Sequence, residues 1–461
     1  MNHAERTPQD TLDRFRPASA WGQWWPSPDV GWDRAAAAHL LRRAGFGPIP
    51  GQLETMAERG HRAALEDLLE PDAGEVRRFD AAAAEMEAAA CHSGRFDALS
   101  ATWMHRMLRS PDVLREKMTL FWHGHFAVSG AKVTDARLMA EQLAMFRRLA
   151  LGRFGDLLAA VMTDPAMLLW LDGDQNRAGA PNENLARELF ELFALGPGRY
   201  TENDIKEAAR ALTGWTVGDA ADGRRAVFSP RLHDGGEKTI FAVTGRFGVG
   251  EVVRLTLGQP ACSTFLIRKL FRFFVSETAE PSDELIAPLA EGWRLRNFDL
   301  RWLLRTMLGS RAFYSDAAVR QRVKSPVEYC VGLARGLGGR MGTRALTDQA
   351  AAMGQRLFFP PDVSGWEGDA AWLTSAGLID RQNLAAGATS GEGRFAGLDP
   401  ARLAEEHELT TPEEISRFFL DHFLQSPGHP AHDALAAELR RTAADAGRFA
   451  TPRLIAARLA R

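Results

Sequence analysis

Cysteine is nearly absent: Cys91, Cys262 and Cys330 are the only three in 461 residues. An odd number of thiols, far apart in sequence, excludes a disulfide framework and the paired spacing of a cysteine zinc site. They read as small buried apolar residues. Long apolar runs are also missing. Met1 to Trp25 carries Asp, Glu, Arg and Pro and lacks the apolar stretch of roughly 7–15 residues that a secretion signal needs. Nor does any later segment reach the roughly 20 apolar residues of a membrane span. The expectation from these two absences is a soluble, cytoplasmic chain. An excess of one charge is absent too, since 56 basic residues face 59 acidic ones. Without a strong net field, nucleic acid and anionic membranes are not expected partners.

What the sequence has in quantity is apolar residues, 45% of the chain, enough to bury a large core. They recur mostly with the period of a helix. The first clear helix begins after Asp33, a ready N-cap, and stops at Gly45-Phe-Gly47-Pro48, with Arg42 and Arg43 in the last turn where the dipole favours cations. Strand signals are confined to Arg225–Ser229 and Lys238–Phe241, with a glycine-rich loop between them. No internal period suggests a solenoid. The expected fold is mainly α: a large multi-helix globular domain over 33–386, with a small β-hairpin and loop insertion. An extended N-terminal segment covers 1–32. A linker opening at Gly387-Ala-Thr-Ser-Gly-Glu-Gly393 leads to a C-terminal helical appendage reaching 461.

Several clusters carry chemistry. Asp172, Asp174, Asn176 and Glu183 occupy the first, third, fifth and twelfth positions of a loop between helical stretches, the ligand spacing of a calcium loop. The sixth position, normally Gly, is Arg177, and the nearest glycine is Gly179. In Phe121-Trp-His123-Gly124-His125-Phe126 two imidazoles can reach one zinc-like metal if Gly124 turns the backbone. In a continuing helix they diverge by roughly 200°, at roughly 100° per residue; one is then held by the helix dipole and the other packed on aromatics. Glu183, Arg187, Glu188 and Glu191 share one face of an amphipathic helix. Glu188 and Glu191 there are like charges on adjoining turns, a mild conflict that a cation would resolve. Neither has a His three residues later, which rules out a di-iron bundle.

Thr201 and Asp204 form a capping-box start for a helix that stops at Gly214. His233, Asp234 and Lys238 sit in a glycine-containing loop with acid-base potential, though solvated turn chemistry explains them about as well. Trp366 and Trp372 flank Pro360-Pro361-Asp362 and either line a pocket or, as Trp more often does, pack beneath the loop.

These same segments carry a resemblance. His123-Gly-His125-Phe126, Pro181-Asn-Glu-Asn184 with Ala186-Arg-Glu-Leu189, Ala209-Arg-Ala-Leu-Thr-Gly-Trp215, His233-Asp234 with Lys238, and Pro360-Pro-Asp362-Val with Gly365-Trp366 together look like the bacterial domain-of-unknown-function 1800 family, over roughly 33 to 385. The resemblance implies no activity and supplies no catalytic residue. It implies export for many members, against which this N-terminus offers no signal.

Two functions follow as expectations. The first is a metal-dependent hydrolase or related transferase acting on an unknown substrate. Its divalent metal is zinc-like at His123 and His125 or calcium at 172–183, with Glu188, His233, Asp234 and Lys238 as catalytic groups. The second is a non-enzymatic helical binding or assembly protein with a calcium-like structural loop and an unknown protein partner. They differ in whether the polar clusters converge on one cavity.

Overall fold

Helix α1 (Arg34–Ala44) forms as its caps dictate: the Asp33 carboxylate accepts the Ala36 N–H at 2.8 Å, and the chain leaves the helix at Gly45. In the computed structural model, which describes residues 7–26, 31–219, 223–338, 341–390, 400–423 and 437, helices account for most of the chain. Those that frame the discussion below are α2 (Phe96–Arg109), α3 (Val113–His125), α4 (Asn184–Glu188), α5 (Glu202–Ala211), α6 (Pro260–Phe274), α7 (Pro326–Gly336) and α8 (Ser375–Ser390). Among the described residues no helix is long and apolar enough to cross a membrane.

The core runs through α3. Its Asp112 cap accepts the Arg115 N–H, and nearly every residue from Val113 to His125 is buried, including Glu116 and Lys117. Around its C-terminal end the rings of Trp122, Phe126, Phe154 and Phe193 pack at centroid separations of 5.2–5.8 Å. Each such buried ring contributes roughly 1.5–3 kcal/mol of transfer free energy. Helix α7 starts with a capping box in which the Ser325 N–H donates to the Glu328 carboxylate at 2.8 Å. That carboxylate also receives the Lys117 ammonium and, at 2.5 Å, the Arg322 guanidinium, so the cap doubles as the anion of a buried ion cluster.

Three expectations change. The described part of the N-terminal segment is not extended: Pro8–Asp13 and Pro17–Ala20 are short helices begun by prolines, and Leu12, Trp21 and Trp24 are buried. The Trp21 indole N–H anchors the segment on the Leu285 carbonyl at 2.6 Å. The proposed linker is partly helical, since α8 continues through Gly387 to Ser390; Ala388 is fully buried, and that packing offsets the cost of ordering small residues. Gly391 to Gly393 lie outside the described residues. Helices Pro400–Glu406 and Pro412–Phe423 then bury Leu403, Phe419 and Leu420.

The β insertion consists of two hairpins: β1 (Trp215–Val217) pairs with β2 (Ala226–Phe228), and β3 (Lys238–Ile240) with β4 (Val243–Gly245). The second turn was hidden because it lacks Gly or Asn. Phe241 and Ala242 both take left-handed backbone angles, φ 50° and 62°, which a two-residue hairpin turn demands. The strain is offset where the Phe241 N–H donates to Asp204 at 2.7 Å and its ring packs on Phe190.

Candidate functional site

Gly124 does not turn the chain. Helix α3 continues through it, so His123 and His125 leave on different sides and do not form a common ligand pair. His123 sits among Trp103, Phe358 and Trp366, and its Nε2 accepts the Phe358 N–H at 3.1 Å. On the other side, His125 Nε2 lies 3.0 Å from the Phe193 carbonyl oxygen, which can only accept, so Nε2 carries the proton and Nδ1 faces Lys269 Nζ at 3.3 Å. Burial pushes His123 down to about 3, and burial together with the Lys269 charge pushes His125 well below the usual imidazole range. Both are neutral at physiological pH.

The calcium-like spacing likewise meets other partners. Asp172, with φ 57°, accepts from Lys132 at 2.7 Å, and Glu183 pairs with Arg187 at 3.1 Å. Asn176 is buried and turned inward: its amide donates to the Ala209 carbonyl at 2.8 Å and its Oδ1 accepts the Asn182 N–H at 2.9 Å. Asp174 stays half-buried, its carboxyl raised by burial and by neighbouring Asp172. Asn176 thus serves as the loop's internal brace. Asn176→Ala, which strands a buried donor and acceptor, is expected to lower unfolding free energy by about 1–3 kcal/mol in chemical denaturation. A loss under a few tenths would show that the loop does not depend on this brace.

Glu188 on α4 has its carboxyl raised by burial and by Glu191, which itself accepts the Tyr200 hydroxyl at 2.8 Å. His233, Asp234 and Lys238 do come together, but as the brace of a loop on α5. The Asp234 carboxylate takes the Arg210 guanidinium at 2.7 Å, His233 Nδ1 donates to the Thr213 carbonyl at 2.9 Å, and the buried Lys238 ammonium donates to the Asp234 and Gly236 carbonyls. The Arg210 contact holds the Asp234 carboxyl below its ordinary range, whereas burial lowers Lys238. Among the described residues, no three His, Cys, Asp or Glu side chains are arranged to hold a metal ion.

Polar and aromatic groups converge elsewhere, in a cleft of about 360 Å³ beside the end of α3. Phe121 and His125 of α3, Lys269 and Arg272 of α6, and Trp366 and Trp372 of the segment just before α8 line it, with Glu277 and Arg322 also in its wall. Gly365, φ 85°, lets that loop lie directly against the Gly124 carbonyl. The α4 segment continues as a π-helical turn, Leu189–Ala194. Such turns widen the helix and recur at functional sites. Here the Leu192 carbonyl accepts from Lys269 at 3.0 Å and the Phe193 carbonyl from His125, so the turn fixes both cleft groups. Lys269 Nζ also lies 4.9 Å over the Phe265 ring, and burial lowers its pKa to about 8.

Of the residues singled out from sequence, His125, Trp366 and Trp372 line this cleft. Lys269, Arg272, Glu277 and Arg322 were missed. The signal lay in α6, where Lys269 falls four residues after Phe265 and four before Phe273, on an apolar phase.

Residues 39–458 match the model of a family described as "Protein of unknown function (DUF1800)", nearly the whole chain and well past the segment that carried the resemblance. Neither curated proteins nor solved structures gave a match.

Proposed function

The chain belongs to the DUF1800 family, whose description assigns no activity, and we propose from the geometry that its cleft binds a small organic anion carrying a flat apolar body. The observation that carries this reading is Lys269, an ammonium with carbonyl and imidazole neighbours and no carboxylate in ion-pair contact among the described residues, set in a cleft that also holds Trp366 and Trp372. Arg272 adds a second cation, while Glu277 is engaged with Arg322 at 3.3 Å. The cleft volume falls in the usual small-molecule class, where a few placed polar groups orient an apolar ligand. Neutral His125 supplies polarity without charge. This is the binding reading. A metal-dependent hydrolase draws less support, because the two imidazoles diverge and oxygens of Asp172, Glu183 and Asn176 are bound to Lys132, Arg187 and the Asn182 N–H.

The test uses anilinonaphthalene sulfonate, an aromatic anion, followed by its fluorescence. Saturable binding to the native protein is expected. Trp366→Ala and Lys269→Met should each weaken it about tenfold or more, as befits loss of one stacking partner or one charged hydrogen-bond donor. Circular dichroism controls for folding. The affinity should also fall as pH rises through about 8, where Lys269 loses its proton, and Lys269→Met should flatten that profile. Equal affinity in both variants, or a profile unchanged by Lys269→Met, would refute the reading.

A further inference from the structure

Arg322 also lines a second cavity, of about 180 Å³, with the end of α1 on one side and the 320–324 segment on the other. Among the described residues its lining holds five cationic side chains, Arg42, Arg43, Arg320, Arg322 and Lys324, against one carboxylate, Glu328. Glu328 is already engaged by Arg322 and Lys117. Arg43 gives one nitrogen to the Val275 and Ala318 carbonyls, and its buried Nε has no hydrogen-bond partner among the described residues. Arg42 donates at 3.4 Å to the Phe423 carbonyl. Neither Arg42 nor Lys324 has a carboxylate within ion-pair distance among the described residues. The carbonyl end of α1 offsets only about half a unit charge, so among the described residues a positive excess remains at Arg42 and Lys324.

We propose that this cavity binds the phosphate group of a small ligand. Cations approach from two elements rather than one plane, which suits a tetrahedral dianion better than a carboxylate, and guanidinium forks pair with its oxygens two at a time. The volume equals about six waters at ~30 Å³ each, room for phosphate with solvent or a short organic stem. Burial, and after it the Arg320 charge, lowers Arg42 to about 10. This site is independent of the cleft reading.

The experiment is isothermal titration calorimetry of the full chain at constant ionic strength with inorganic phosphate, phenyl phosphate and acetate. Phosphate is expected to bind with a submillimolar dissociation constant and acetate at least tenfold more weakly. Arg42→Gln and Lys324→Gln should each weaken phosphate at least tenfold while leaving the circular dichroism spectrum unchanged. Tighter binding of phenyl phosphate assigns the site to an ester; equal binding assigns it to the free ion. Trp366→Ala should leave phosphate affinity intact, which separates this site from the cleft. No phosphate heat, equal heats with acetate, unchanged affinity in both variants, or loss of phosphate binding in Trp366→Ala would each overturn the proposal.

Discussion

Glu328→Gln is expected to lower the free energy of unfolding by about 3–5 kcal/mol, the usual consequence of removing one partner from a buried ion cluster. The carboxylate is 4% exposed and meets Arg322, the fully buried Lys117 and the Ser325 N–H. Glutamine keeps the size and one acceptor but strands two cations. Lys117→Met should cost less, because Glu328 then retains Arg322. The pH dependence follows from the same contacts. Burial alone would raise the Glu328 carboxyl; the Arg322 and Lys117 charges overcome it and hold it well below the ordinary range. Its folded-state pKa is therefore below the unfolded value of about 4.3. The stabilisation is complete above that unfolded value and disappears as pH falls toward the folded one. Denaturation curves of wild type and Glu328→Gln should consequently differ most near neutrality and converge in acid. A difference under about 1 kcal/mol near neutrality, or a larger loss in Lys117→Met, would show that the cluster is not organised around this carboxylate.

Gly365→Ala is expected to detach the tryptophan loop from α3. At φ 85° a side chain is already strained, and a Cβ built there would sit on the Gly124 carbonyl oxygen, a backbone atom that cannot swing aside. Strain of this kind costs of the order of 1–3 kcal/mol, and a clash with fixed backbone adds to it, so the loop relieves both by moving. The melting temperature should drop and binding of anilinonaphthalene sulfonate should be lost, since Trp366 and Trp372 leave with the loop. Gly124→Ala provides the contrast: its new methyl meets Trp366 only at an ordinary 4.0 Å, and alanine favours the helix by about 1 kcal/mol. That variant should be neutral or slightly stabilised. Full binding in Gly365→Ala would mean that the loop does not shape the cleft.

The contrast between those two glycines shows where sequence reasoning stopped. Read alone, His123-Gly124-His125 suggests a flexible turn that gathers two imidazoles. The structure places the required flexibility at Gly365, 241 residues later in the chain, and leaves Gly124 helical. Likewise the acidic spacing of 172–183 is a local pattern, but Lys132, Arg187 and Ala209 intercept its side chains. Arg187 is within reach of Glu183 on the same helix face and so was legible in the sequence, whereas nothing in the loop marks Lys132 or Ala209.

What was legible was local. Helical periodicity, the Asp33 cap, the Thr201–Asp204 capping box and the stop at Gly45 all appear as the residues dictate, because each depends on neighbours within a turn or two of backbone. The mainly helical class and the family follow from the same local patterns. Tertiary structure alone decided which polar groups meet: Lys269 with His125, separated by 144 positions, and Lys117 with Glu328, separated by 211. A buried charge finds its partner through packing, and no short-range rule of spacing records which distant helix will deliver it.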